Sequence, residues 1–199
     1  MRYTLVADGG SDAVLIPIIN WSFRQHDVTP IGQRADLSRI PRQRNMEERL
    51  RAVLDIYPCD VLFVHRDAEG QPPQRRREEI AESLLSLRVE HIPVVPVRMT
   101  EAWLLADEPA IRRAAGNPNG TEELNLPVVR TLETLPNPKE VLFAALATAS
   151  GLNARRRSRL PVHKRVHQIA EYIDDFSCLN VLPAFLALQQ DIRAIIEND

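Results

Sequence analysis

Short, continuous apolar runs alternate with amphipathic segments along the first half of the chain. RYTLVA and DVLFVH are the clearest runs, and in the segments between runs apolar residues recur every three or four positions. Runs of about four to eight apolar residues are typical of strands buried on both faces, and the longer spacing is typical of helices that bury one face. The pattern predicts strands over residues 2–7, 28–34, 60–66 and 91–99. It predicts helices over residues 12–25, 45–57 and 74–88, and one that begins at Thr100 or Glu101.

The order of these elements indicates the fold class. Strands that alternate with helices favour a mostly parallel sheet covered by helices, because parallel neighbours need a crossover connection. Pro93 and Pro96 remove backbone donors from the fourth strand, which we therefore expect at an edge of the sheet or in an irregular form. The first half of the chain thus predicts an α/β fold.

The pattern changes after Gly116. Residues 117–138 are rich in Pro, Asn and Gly and predict a long loop. Further helices are predicted over residues 138–150, 162–176 and 182–197. We therefore predict an α/β domain over residues 1–116, and a loop and helical C-terminal extension over residues 117–199 that packs on it.

Composition narrows the classes of function. A net charge of -2, with 44% hydrophobic and 26% charged residues, gives no support for wholesale coating of nucleic acid. Every one of the 25 basic residues except Lys139 and Lys164 is an arginine. The arginine fork suits phosphate and carboxylate recognition, although a GC-rich coding bias explains the excess equally well. No residue pattern fixes the oligomeric state, so a homo-oligomer stays open.

The cysteines and the hydropathy indicate the compartment. Cys59 and Cys178 are far apart and without partner motifs, which excludes a thiolate zinc site and does not favour a structural disulfide. No stretch is apolar enough to span a membrane, and the N-terminus is typical of a strand rather than a signal segment. We expect a cytoplasmic protein with no membrane association.

Acidic residues follow three of the four predicted strands. Asp8 follows the first strand, Asp67 and Glu69 follow the third, and Glu101 follows the fourth. In parallel sheets the carboxyl ends of the strands meet at one edge, where ligands bind. Carboxylates gathered there repel one another unless a cation compensates, and a set of oxygen ligands indicates Mg²⁺ or Mn²⁺. Such ions polarise phosphoryl oxygens and orient or activate water.

Each acid also has an ordinary structural explanation, and the residues alone leave both open. Glu101 suits a helix start, and residues 67–70 suit a solvated turn. Asp12 suits a cap or first-turn position better than a metal ligand. His65 lies on the same side of its strand as Asp67, so it either borders the site or is a hydrogen-bonded structural histidine.

Two further segments could hold phosphate. Gly9 and Gly10 allow close approach of the backbone, and Ser11 either caps the following helix or contacts phosphate. Residues 141–170 contain no Asp or Glu. Basic residues accumulate in that stretch at Arg155, Arg156, Arg157, Arg159, Lys164 and Arg165. They predict a nucleic-acid backbone site, although a solvated loop or a surface for an acidic partner protein would look the same.

Three strings, LVADGGSD, VHRDAEG and RMTEAWLLAD, resemble the Toprim-like proteins of the DUF4276 type. The wider Toprim fold serves topoisomerases, primases and OLD-type nucleases. The resemblance covers most of residues 1–110 and, more loosely, LPAFLALQQDIR. It implies a Toprim-like, mostly parallel sheet flanked by helices. The family carries a glutamate after the first strand and a D-x-D after a later one; Asp8 and Glu69 depart from that pattern by about one methylene each.

The resemblance also implies a function. Asp67 and Glu69 would hold Mg²⁺ or Mn²⁺, Asp8 would bind the metal or move a proton, and Glu101 would complete the cluster. The implied activity is a nuclease, a hydrolase of nucleic-acid phosphodiester bonds, in bacterial antiphage defence against mobile DNA, often beside an ABC-type ATPase. The alternative is a non-catalytic, degenerate Toprim subunit that binds nucleic acid or regulates a partner ABC-type ATPase.

Overall fold

The sheet has four strands, all parallel, in the part of the chain that the structure describes. The structure is a computed structural model that describes residues 1–40, 45–68, 72–97 and 99–198. The strands are β1 (Arg2–Val6), β2 (Ile31–Arg34), β3 (Val61–His65) and β4 (Glu90–Val94). Their order across the sheet is β2-β1-β3-β4. The predicted α/β fold is therefore confirmed, and β4 lies at the predicted edge.

Helices cover the sheet and form most of the second half of the chain. They are α1 (Leu15–Arg24), α2 (Met46–Ile56), α3 (Pro73–Leu84), α4 (Glu101–Leu104), α5 (Glu108–Ala115), α6 (Pro138–Ala149), α7 (Ala154–Arg157), α8 (Val162–Tyr172) and α9 (Pro183–Asn198). Shorter 3-10 helices span Gly10–Val14, Leu37–Arg39, Val129–Thr134 and Ser177–Val181. None of the helices in the described ranges combines the length and apolar character that a membrane crossing needs.

The helix predicted to begin at Thr100 or Glu101 is divided into α4 and α5. Asp107 ends the first part, because its backbone is extended and its side chain accepts a hydrogen bond from the Ala110 N–H at 2.8 Å. Pro109 then occupies the first turn of α5, where its missing N–H costs nothing. The predicted loop over residues 117–138 contains the 3-10 helix Val129–Thr134.

Alternate residues of the strands enter two hydrophobic cores. Tyr3, Leu5 and Phe63 face a core that includes residues of α1, α4, α5, α6, α8 and α9. Leu62 and Val64 face the other core, with residues of α2 and α3. The helices of the C-terminal part therefore share a core with the sheet.

The pairing of β1 with β3 positions the candidate site. Val6 pairs with Val64, so the two strands end side by side. The segments that follow them, which carry Asp8 and Asp67, leave the same edge of the sheet. His65, the last residue of β3, pairs with Val94 of β4.

Candidate active site

A cavity of about 200 Å³ opens at the carboxyl ends of β1 and β3. It is called the first cavity, and its lining residues are Asp8, Gly9, Ser11, Asp12, His65, Arg66 and Asp67. Ligand sites in parallel α/β folds occupy this edge of the sheet. The structure thus brings Asp8 and Asp67 to one cavity, because β1 and β3 are neighbours in the sheet, which the prediction had left as a condition.

Asp12 fixes the loop after β1. Its Oδ2 accepts a hydrogen bond from the Gly9 N–H at 2.9 Å, and its Oδ1 accepts one from the Ser11 hydroxyl at 3.3 Å. Asp12 therefore has the predicted first-turn role. Ser11 is not a cap, because it lies inside the 3-10 helix whose N-cap is Gly9. A Cβ on Gly9 would lie only 3.1 Å from Asp12 Oδ2, so a side chain at this position would require the Asp12 carboxylate to shift.

Two arginines bring positive charge to the same loop. Arg49 of α2 forms an ion pair with Asp8, with 2.9 Å between Nη1 and Oδ1. Arg34 of β2 donates a hydrogen bond to the Gly9 carbonyl at 3.0 Å. The Asp8 side chain is 55% exposed, so its charge is shared between this guanidinium and solvent.

His65 is both a structural histidine and a neighbour of the site. Its Nδ1 lies 3.0 Å from the carbonyl oxygen of Val94, and because a carbonyl only accepts, Nδ1 carries the proton of that hydrogen bond. Nε2 lies 3.6 Å from Asp67 Oδ1 and 3.8 Å from Asp12 Oδ1. The side chain is 3% exposed, so His65 is fixed between the two carboxylates.

Glu101 lies in a different cavity. This second cavity has a volume of about 390 Å³, and its lining residues are Gly10, Ser11, Glu101, Lys139, Phe143, His163, Val166 and His167. The predicted gathering of Asp8, Asp67 and Glu101 in one cluster is therefore not found among the described residues. The reason is that six residues separate the end of β4, an edge strand, from α4, which begins with Glu101 and packs against α6. Ser11 lines both cavities and marks where they meet.

The donors in the first cavity suit a hard cation, but they are few. Asp8 and Asp67 supply carboxylate oxygens, the ligands that Mg²⁺ and Mn²⁺ prefer. In the described part of the chain, no three His, Cys, Asp or Glu side chains are grouped so that they could hold a metal ion. Glu69, the predicted partner of Asp67, lies outside the described residues. The residues that the structure describes therefore do not by themselves supply such a three-ligand group.

The predicted basic segment forms a largely exposed surface on α7 and α8. This basic surface consists of Arg155, Arg156, Arg157, Arg159, Lys164 and Arg165. Asn153 begins α7, which was not predicted, by accepting a hydrogen bond from the Arg156 N–H at 3.1 Å. Among the described residues, no acidic side chain forms an ion pair with any member of the basic surface. Its charge is therefore available to a polyanion.

Several residues of the second cavity were not predicted. His163 and His167 stand four positions apart, which places them on one face of α8, and this spacing was a usable signal. Lys139 and Phe143 also stand four apart, on α6. Nothing in the sequence indicated that these two helix faces meet Glu101, because that contact depends on tertiary packing.

Fold and site together define an α/β protein with its candidate site at the carboxyl edge of a parallel sheet. Comparisons of the chain with models of protein families, with curated proteins and with solved structures give no match. The resemblance to Toprim-like proteins therefore stays a prediction.

Proposed function

We propose that this protein is a divalent-metal-dependent nuclease that cleaves phosphodiester bonds in the first cavity. The observation that supports the proposal best is the convergence of Asp8 and Asp67, from the ends of two neighbouring strands, on that cavity. The basic surface supports a polyanionic substrate. A role in defence against mobile DNA is part of the proposal and derives from the Toprim resemblance.

In this proposal Asp67 and Glu69 hold Mg²⁺ or Mn²⁺, and Asp8 is a further ligand or moves a proton. The bound ion would polarise a phosphoryl oxygen and favour attack by water. To bind the ion, the Asp8 carboxylate would leave its ion pair with Arg49. The Asp8 side chain is exposed enough to move in this way.

The remaining residues of the first cavity act on substrate and water. The Ser11 hydroxyl and Gly9 line the cavity, and in this proposal they contact the phosphate of the substrate. His65 presents Nε2, the ring nitrogen without the Val94 hydrogen bond, to the cavity, where it accepts a hydrogen bond from water.

The substitution Asp67→Asn tests the proposal. Purified protein is incubated with labelled single-stranded DNA, duplex DNA and RNA in Mg²⁺, in Mn²⁺ and in EDTA. We expect cleavage only with metal, and a loss of at least about 100-fold in rate for Asp67→Asn, the upper end of what loss of an outer-shell partner costs a metal site.

Asp60→Asn is the matched control. Asp60 precedes β3 at the opposite edge of the sheet, where its Oδ2 accepts a hydrogen bond from the Arg2 N–H at 2.6 Å. We expect this variant to cleave at the wild-type rate. If wild-type protein leaves every substrate intact with both metals, the nuclease proposal is wrong.

A second candidate function has its own supporting observation. Asp8 is paired with Arg49 at 2.9 Å, and Glu101 faces Lys139 at 3.8 Å, so two of the predicted acids already have cationic partners. This arrangement favours a non-catalytic subunit that binds nucleic acid or regulates a partner ABC-type ATPase. In that case Asp67→Asn changes only the dissociation constant for nucleic acid or the partner's ATPase rate, and no cleavage is seen.

A further inference from the structure

The second cavity is nearly twice as large as the first and adjoins it. Its volume is about 390 Å³ against about 200 Å³, and Ser11 lines both. Its walls come from α4, α6 and α8. A cavity of this size lies in the range that accepts a small organic ligand or one monomer of a polymer.

The charges in the second cavity are set by a lysine and a buried acid. Glu101 has a side chain only 10% exposed, and its Oε1 lies 3.8 Å from Lys139 Nζ. The same ammonium lies 5.9 Å from the centroid of the Phe143 ring. The carboxylate and the ring face together hold the ammonium at the cavity wall, with 39% of the lysine side chain exposed.

The α8 wall of the second cavity belongs to a helix that also carries part of the basic surface. His163 and His167 of α8 line the cavity, and Lys164 and Arg165 lie between them on the same helix. His163 packs edge-to-face with Phe143, with 5.3 Å between ring centroids. Helix α8 therefore contributes both to the second cavity and to the basic surface.

We infer that the second cavity binds the nucleotide next to the scissile phosphate, and that the substrate is single-stranded nucleic acid. This inference rests on the proposed function. Lys139 contacts the phosphate of that nucleotide, and Phe143 and Val166 form the apolar wall for its base or sugar. The apolar wall suits an unpaired base, whose ring face is free to pack on it, whereas a paired base keeps its faces stacked within the duplex.

The test measures binding in EDTA, so that the result does not depend on a metal ion. Fluorescence anisotropy compares a labelled single strand of DNA, the same sequence as RNA, and the DNA duplex. We expect both single strands to bind more tightly than the duplex. Lys139→Gln should weaken single-strand binding by about tenfold, the loss expected for one charged hydrogen bond. It should also lower by about one the salt slope, which is the slope of log affinity against log salt concentration.

Two other cationic residues serve as comparisons for Lys139. Arg193→Gln removes one charge from α9, where Arg193 is ion-paired with Glu197, and should leave binding unchanged. Lys164→Gln removes the other lysine of the chain from the basic surface and should weaken single strands and duplex alike. If Lys139→Gln costs no more than Lys164→Gln, or if the duplex binds as tightly as the single strand, the inference is wrong while a nuclease activity still stands.

Two more variants separate binding from folding. Lys139→Gln leaves Glu101 without its cation, so the double variant Glu101→Gln/Lys139→Gln removes both charges and should show the same loss of binding. Lys139→Arg keeps the positive charge and should retain most of the wild-type affinity for the single strand. Recovery of wild-type affinity in the double variant would overturn the inference, since the lysine would then matter only as a partner of Glu101. Wild-type protein that binds no nucleic acid in EDTA and cleaves none with metal would instead overturn the proposed function.

Discussion

At the scale of single residues, the first cavity depends on a loop with little free space. The Gly9 N–H donates a hydrogen bond to the Asp12 carboxylate, and a Cβ on Gly9 would also lie 3.2 Å from Ser11 Oγ. Gly10, the next residue, has nothing within 4 Å of its Cβ position. The two adjacent glycines thus differ in whether a side chain would fit: it would be crowded at Gly9 and unhindered at Gly10.

This difference predicts opposite effects on stability. Gly9→Ala should lower the free energy of unfolding by about 1 kcal/mol, because displacing Asp12 loses a hydrogen bond. Gly10→Ala should raise it by about 0.5 kcal/mol, because alanine restricts the unfolded chain. Urea unfolding of the two variants measures the difference. Equal stabilities would show that the Asp12 side chain moves away without cost.

The residues of the site were predictable to different degrees. Asp8 and Asp67 follow strands whose apolar runs are unmistakable, so their positions at strand ends could be predicted, whereas the pairing of β1 with β3 that brings them together could not. Glu101 follows an irregular edge strand, and its final position is set by the packing of α4 against α6, which no local pattern encodes. Lys139 and His167 belong to segments far apart in sequence, and only the folded core brings them together.

At the scale of elements, long periodic segments were predicted well and short capped ones were not. β1 and β3 follow continuous apolar runs, and α1, α2, α8 and α9 follow hydrophobic periodicity, and both patterns depend on many residues at once. α7 has four residues and is set by the Asn153 cap and its neighbours rather than by an apolar face. The 3-10 helix Val129–Thr134 lies in a segment whose prolines and polar residues predict a loop.

That 3-10 helix carries a buried carboxylate that joins other elements. Glu133 Oε1 accepts hydrogen bonds from the Ala184 N–H of α9 at 3.2 Å and from Trp103 Nε1 of α4 at 3.4 Å. Burial raises the pKa of Glu133, and these hydrogen bonds oppose the rise. The folded state therefore binds the Glu133 proton more firmly than the unfolded state does.

The sign of the resulting pH dependence follows from this shift. Protonated Glu133 stabilises the folded state. This contribution is complete below the pKa of Glu133 in the unfolded chain, and it is lost as pH rises through the higher pKa of Glu133 in the folded protein. Glu133→Gln cannot titrate, so the stability of wild type relative to this variant should fall as pH rises above about 4.5. Urea unfolding across a pH series measures it. Exposed Glu82→Gln is the control and should leave the pH dependence unchanged; a flat difference for Glu133→Gln would contradict the assignment.

At the scale of the whole molecule, charge is separated although the net value is small. The chain carries a net charge of -2, yet the basic surface on α7 and α8 contains only cations, while three aspartates line the first cavity. Such separation lets a polyanion bind at one place and react at another without strong attraction to the rest of the protein.

This separation of charge predicts how nucleic-acid binding responds to salt and to the removal of basic side chains. Changing Arg155, Arg156 and Arg157 together to Gln should weaken nucleic-acid binding about equally for all sequences. It should also lower the salt slope by about two to three, close to one for each phosphate that the protein no longer neutralises. Anisotropy titrations at several salt concentrations measure both effects.

The control removes the same charge elsewhere. Arg51, Arg75 and Arg193 each form an exposed ion pair with a glutamate on the same helix, so their joint change to Gln should cost little stability and leave affinity unchanged. Equal losses of affinity in the two triple variants would show that net charge, rather than the basic surface, governs binding.

The shared core has a consequence for biosynthesis. The sheet emerges from the ribosome before the helices that complete its core, so a nascent chain that has emerged only as far as residue 116 lacks the core residues of α6, α8 and α9. Apolar surface left in water by an incomplete core is the kind that chaperones bind. The same nascent chain also lacks the walls contributed by α6 and α8, which means that a growing polypeptide has no complete second cavity until both helices have been translated.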